Sequence, residues 1–177
     1  MPFAIELYFD QQSTATLIDL RTKFLLAGLP VDEDTLPHIS LAIYDQLDLY
    51  DYIKRLKKYA ASISPFNLKL TQVGMFHGEK KVVFLQPGLD DRLKALHQDF
   101  HVHFQDEIKN EWSYYLPQNW IPHCTLVLAA EEKQIPKALK VIDNLQLPIK
   151  ARIEKIGILG FKPNEQLAVF EIGNSGK

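Results

Sequence analysis

Two segments of this 177-residue chain, Pro37-His38-Ile39-Ser40-Leu41 and Pro122-His123-Cys124-Thr125-Leu126, share the pattern Pro-His-x-[Ser/Thr]-Leu, once in each half. An imidazole titrates near pH 6.5, so of two histidines in one site one can accept a proton while the other gives one. A hydroxyl two residues further on can donate to a non-bridging phosphate oxygen and hold the phosphorus between the rings for in-line displacement. That scheme needs no metal. The candidate catalytic residues are therefore His38 and His123, with Ser40 and Thr125 as phosphate-binding hydroxyls.

Strands place them. Side chains alternate across a strand, so His38 and Ser40 share one face while Ile39, Leu41 and Ile43 take the other. In the second copy His123 and Thr125 oppose Cys124, Leu126 and Leu128. The apolar set belongs in a core, which leaves imidazole and hydroxyl on the free face, roughly 6 to 7 Å apart along the strand. Ala42 and Ala129, further along those faces, leave room for a ligand. Pro37 and Pro122 keep the residues before them extended as each strand begins.

The rest of the chain reads as a scaffold for these strands. A strand is expected at residues 3–9 and a helix at 13–29, capped by Ser13. After the first motif strand, 38–44, come a helix at 48–63, a strand from Phe66 and a hairpin turn at His77-Gly78-Glu79. A return strand at 82–86, a helix at 89–107, an aromatic-rich loop at 110–121 and the second motif strand at 123–129 follow. The helix at 130–145 contains Pro136, in its first turn or marking a late start, and strands at 149–159 and 167–172 form a closing hairpin.

The halves agree beyond the motifs. From His38 to Pro65 is 27 positions and from His123 to Pro148 is 25, and each proline precedes an alternating strand carrying Val73-Gly74 or Ile156-Gly157. We read an internal duplication of order βαβαββ, in which the strand near Val82 ends the first copy and begins the second. The duplicated chain is expected to have an approximate internal twofold, with the two His-hydroxyl pairs facing each other across a central cleft. It forms one domain over residues 1–177, its halves being about 1–80 and 81–177.

With 46% hydrophobic residues the chain can bury a substantial core, and a net charge of -2 argues against a polybasic nucleic-acid coat. Short nucleic-acid ends or nucleotides fit that charge better than long duplexes. The single cysteine, Cys124, excludes an internal disulfide and suits a reducing compartment, and its side chain alternates away from His123 into the core. No leader-like or membrane-length apolar run stands out, so a cytoplasmic protein without a membrane partner is expected.

Other residues invite a role. Trp120, next to the second motif, is a candidate platform for a nucleobase, with Trp112, Tyr114 and Tyr115 in the same loop. The equivalent loop at 30–37 holds Asp32, Glu33 and Asp34 and no aromatic residue. Lys69 and Arg152 align in the repeat and are candidate substrate-binding cations. His97 and His101 have the i, i+4 spacing of a metal-binding helix face, but no HExxH pattern accompanies them. Solvated helix histidines are the simpler reading, and no metal or other cofactor is expected.

The duplicated His-x-[Ser/Thr]-x signature, with x hydrophobic, resembles that of the two-histidine (2H) phosphoesterases, which include 2'-5' RNA ligases and cyclic nucleotide phosphodiesterases. The resemblance spans nearly the whole chain; Ser40 stands where the family often has threonine. It implies an α+β fold, a bilobal duplicated module with antiparallel sheets facing a central cleft and helices on the outside, and a metal-independent phosphodiesterase acting on RNA ends or nucleotides with a 2',3'-cyclic phosphate or 2'-5' linkage. A monomer with a nucleotide or RNA-end substrate is expected. A non-catalytic nucleotide-binding module of the same fold is the alternative, and a metal protein organised by His97 is a third.

Overall fold

The computed structural model describes residues 1–173. Its strands are β1 (Phe3–Phe9), β2 (His38–Tyr44), β3 (Phe66–Phe76), β4 (Lys81–Pro87), β5 (Cys124–Ala130), β6 (Ile149–Gly160) and β7 (Glu165–Glu171). The helices are α1 (Gln11–Leu26), α2 (Leu49–Ser62), α3 (Asp91–His103) and α4 (Ile135–Ile142). Three helix starts follow a carboxylate: Asp10, Asp48 and Asp90 each accept a hydrogen bond from the backbone N–H three residues on. Asp10 thus displaces Ser13 as the expected cap of α1; Ser13 is buried and its hydroxyl accepts from the Arg152 backbone N–H at 3.1 Å. The third helix ends earlier than expected and continues as a 3₁₀ turn, Gln105–Asn110, while α4 starts late with Pro136 in its first turn.

All pairings are antiparallel, in the order β2-β1-β6-β3-β4-β5, with β7 also on β6. The two expected sheets are therefore continuous. The cause is an exchange: after β1-α1-β2-α2, strand β3 pairs with β4, and after β4-α3-β5-α4, strand β6 pairs with β1. Each repeat completes the other's sheet, and β3 meets β6 at the seam, with Leu68 opposite Ala151 and Lys69 opposite Lys150. Fully buried side chains such as Ile5, Leu17, Phe24, Leu56, Phe100 and Ile153 join one core, since each amphipathic helix must hide its apolar stripe against a sheet.

Both motif strands break their alternation at the same place. Glu6 lies opposite Ser40 and Ile5 opposite Ala42, skipping Leu41; Phe84 lies opposite Thr125 and Val83 opposite Val127, skipping Leu126. These are β-bulges, in which two successive residues face one partner and the strand turns. Leu41 and Ala42 are consequently both buried in the core, as are Leu126 and Val127. Beyond the bulge the faces exchange. Ile43 packs on the other side with Ala4 and Leu159, and Leu128 is exposed in the cleft, contrary to the simple alternation that placed both in the core and Ala42 beside the ligand.

Two glycines of the repeat bring neighbouring rings close to the sheet. A Cβ on Gly74 would lie 2.3 Å from the Phe84 ring, and one on Gly157 would lie 2.9 Å from the Tyr8 ring and 2.5 Å from the Ala168 carbonyl. Gly74→Ala must push Phe84 aside, and Phe84 is a wall of the His123 ring, with centroids 5.2 Å apart. A loss of about 1–3 kcal/mol is expected, as for other overpacked sites. Thermal unfolding of the variant checks this, and an unchanged midpoint would show that the ring is not wedged.

Candidate active site

The two motif strands open onto one cleft of about 880 Å³, lined by His38, Ser40, His123 and Thr125 together with Glu6. The structure thus brings the four motif residues into a single concavity. Each ring is held alike. His38 Nδ1 lies 2.8 Å from the Leu36 carbonyl, and His123 Nδ1 lies 2.7 Å from the Ile121 carbonyl. A carbonyl only accepts, so Nδ1 carries the proton in both rings, and Nε2 is the nitrogen left for chemistry.

Beyond Nε2 the halves differ. On the first side Glu6 Oε1 is 3.3 Å from His38 Nε2, and Glu6 Oε2 is 2.7 Å from the Tyr8 hydroxyl, itself 2.9 Å from Gln166 Oε1. Glu6 is almost fully buried, and desolvation holds its carboxyl above the usual carboxylate range even though His38 and Tyr8 pull it down. Phe84 occupies the corresponding place opposite Thr125. His123 sits edge-on to Phe76 at 5.0 Å and tilted against Phe84, and burial pushes its ring below the ordinary imidazole value, with His38 adding a smaller push.

The loops that lead into the motifs are braced crosswise. The outer strands β2 and β5 have carbonyls without a ladder partner on their free edges. Trp120, before the second motif, donates to the Ser40 carbonyl of the first at 3.0 Å, and His97 Nε2 donates to the Leu41 carbonyl at 3.0 Å. Arg21 on α1 donates from Nε to the Thr125 carbonyl at 3.1 Å. Through one terminal nitrogen it also reaches the Asp32 and Thr35 carbonyls before the first motif, at 3.1 and 2.7 Å.

Trp120 lines the cleft, but its ring stacks on His97 at 3.7 Å, so one face is already occupied. Trp112, Tyr114 and Phe161 also line the cleft; Tyr114 is largely exposed, and the Trp112 ring is fixed by its bond to Asp45 and its edge contact with Phe161. Tyr115 stands beside the Ser40 hydroxyl, and burial pushes its phenol up to about 12, which keeps it a neutral donor. Asp32, Glu33 and Asp34 line the same cleft.

Lys69 and Arg152 are elsewhere. They line a separate cavity of about 720 Å³ with Lys150 and Ser13 and share no wall with the histidine cleft. The exchange of third strands explains this, because both residues sit on the β3–β6 seam. Arg152 is also committed, donating from Nε to Glu154 at 2.9 Å. His97 and His101 are buried, not solvated: His101 bonds the His97 carbonyl and Glu111. Among the described residues no group of three or more His, Cys, Asp and Glu side chains is placed to hold a metal ion. Cys124 is fully buried, and burial pushes its thiol up to about 11, which makes it an inert core residue. No helix among the described residues is long and apolar enough to cross a membrane.

Glu6, Tyr8, Gln166 and Arg21 were not singled out from the sequence. A signal for the first two was present: Glu6 and Tyr8 share a face of a strand whose other members are apolar. Arg21 had none, being one more cation on a helix.

A family model described as the 2'-5' RNA ligase superfamily matches residues 10–164. No curated protein matches the sequence. Among solved structures, TT0787 of Thermus thermophilus superposes with a TM-score of 0.70 at 16% identity, over 99% of this chain and 100% of that one. E. coli LigT complexed with 3'-AMP gives 0.64 at 18% identity, over 97% and 99%. Kluyveromyces marxianus Usb1 gives 0.53 at 8% identity, over 94% and 96%. These likenesses show the fold: two lobes of mixed α+β structure built on an internal duplication.

Proposed function

The chain belongs to the 2'-5' RNA ligase superfamily within the 2H phosphoesterases, and from that premise we propose that it is a metal-independent phosphodiesterase. It opens 2',3'-cyclic phosphates, or cleaves 2'-5' linkages, on RNA ends or nucleotides. The observation that carries this reading is the pair of His-hydroxyl sets facing one cleft, each ring fixed through Nδ1, which leaves Nε2 for proton transfer, in His38 with Glu6 3.3 Å away. Ser40 and Thr125 would hold the non-bridging oxygens, with the phosphorus between the rings. One imidazole removes a proton from water as its oxygen attacks; the other protonates the departing ribose oxygen. Trp112, Tyr114 and Phe161 offer the base a surface of free aromatic area. Trp120 serves mainly to hold the Ser40 carbonyl. LigT has been solved with 3'-AMP, with phosphate and with ATP, which supports a nucleotide ligand here.

The test is turnover of 2',3'-cyclic mononucleotides and of short RNAs ending in a cyclic phosphate, with EDTA present. A bell-shaped pH dependence and indifference to chelator are expected, because both protonation states of imidazole are needed at once. Loss of activity on chelation would sink the metal-free mechanism. Saturable nucleotide binding without product would instead mark a binding module.

A further inference from the structure

We infer that the buried Glu6–His38 pair holds a proton for delivery from His38 Nε2, which makes His38 the general acid and leaves His123 as the base; this rests on the phosphodiesterase reading above. Four contacts run in a line: Leu36 carbonyl to Nδ1, Nε2 to Glu6 Oε1, Glu6 Oε2 to the Tyr8 hydroxyl, and that hydroxyl to Gln166 Oε1. Three of these are hydrogen bonds, each needing a hydrogen between two electronegative atoms, and the second, at 3.3 Å, is an ion-pair contact. A neutral imidazole and a phenol bring only two. Gln166 cannot relieve the shortage by turning round, because its amide nitrogen is engaged with the Ile158 and Ala168 carbonyls. With the phenol hydrogen given to Gln166, the Glu6 carboxyl must hold an additional proton, and it lies against His38 Nε2.

The surroundings agree. Burial raises Glu6 above its ordinary value, so the carboxyl does not retain a bare negative charge at low cost. Tyr8 is also raised by burial and by Glu6, which keeps it protonated. The other charged groups acting on Glu6 are Arg21 and Asp32, which oppose each other. His123 has no such partner: Phe84 stands where the repeat would place a second Glu6, and among the described residues nothing bonds its Nε2. A neutral ring with a free lone pair is a base.

The step then balances. A water oxygen bonds to phosphorus while its proton passes to His123 Nε2; the bond from phosphorus to the ribose oxygen breaks, and that oxygen takes the proton from His38 Nε2. Glu6 acts through His38 and is a positioning residue, not one that touches the substrate.

A change of leaving group separates the roles. A p-nitrophenyl phosphodiester departs as phenolate and needs no acid. On a cyclic nucleotide, His38→Ala and Glu6→Gln should lose roughly a hundredfold or more. On the aryl ester both should recover to within about tenfold of the wild type, which also proves them folded, while His123→Ala stays low on both. Recovery by His123→Ala instead would reverse the assignment and overturn the inference. Wild type inert on both esters would overturn the phosphodiesterase reading itself, and this inference with it.

A second readout is the pH profile. Protonation of His123 stops the base, and burial disfavours its charged form, so the acid limb lies below the ordinary imidazole value of about 6.5. Glu6→Gln should leave that limb in place, because Glu6 does not touch His123. A merely structural Glu6 would lower turnover of both esters alike, and that result, or a moved acid limb in Glu6→Gln, would overturn its role.

Discussion

His38→Ala and His123→Ala are each expected to lower turnover of a 2',3'-cyclic nucleotide by roughly a hundred- to ten-thousandfold, the contribution of one general acid or base. Substrate binding should change far less, since the hydroxyls of Ser40 and Thr125 and the aromatic wall remain. The double variant should fall little further than the worse single one. Once either proton transfer is lost, the other no longer has a concerted partner, and groups that act as a unit are not additive. Stopped assays with KM and kcat separated would check this. Full activity in either single variant would remove the paired-histidine mechanism, and a loss confined to KM would turn that residue into a binding group.

The second large effect is expected far from any substrate, at Arg21. Its guanidinium is almost fully buried and holds three backbone carbonyls, those of Asp32, Thr35 and Thr125. Arg21→Ala leaves those acceptors without a donor inside the protein, at about 1–3 kcal/mol each before relaxation. A net loss of about 3–5 kcal/mol falls in the range seen when a buried hydrogen-bond network is broken. For a chain of this size each kcal/mol moves Tm by about 2–4 °C, so a fall of about 10 °C is expected. Arg21→Lys should recover only part, since an ammonium cannot span carbonyls approached from separate guanidinium nitrogens. A Tm within about 2 °C of the wild type would mean that the brace carries no load. The variant should also lose activity beyond its instability, because the same nitrogens tie the loop before His38 to the strand after His123. Its counterpart across the repeat, Trp120 on the Ser40 carbonyl, ties the other loop to the other strand.

What the sequence alone determined is whatever depends on spacing along the chain. The repeated Pro-His-x-[Ser/Thr]-Leu fixed the four residues that meet in the cleft, and the agreement of the halves fixed an α+β duplication, because period-two and helical patterns are local properties. Tertiary structure decided the rest. The bulges at Leu41 and Leu126 turned Ile43 and Leu128 into the cleft, and an unpaired residue is defined only by the strand opposite. Lys69 and Arg152 aligned correctly as equivalents, yet they lie on the seam between lobes: alignment reports equivalence, while the exchange of β3 and β6 decides location. Trp120 read as an open platform and is half covered by His97, because its neighbour comes from a helix more than 20 residues earlier in the chain. The difference between the two histidines was likewise invisible. The repeat makes them equivalent in sequence, and only strand pairing sets Glu6 beside one and Phe84 beside the other.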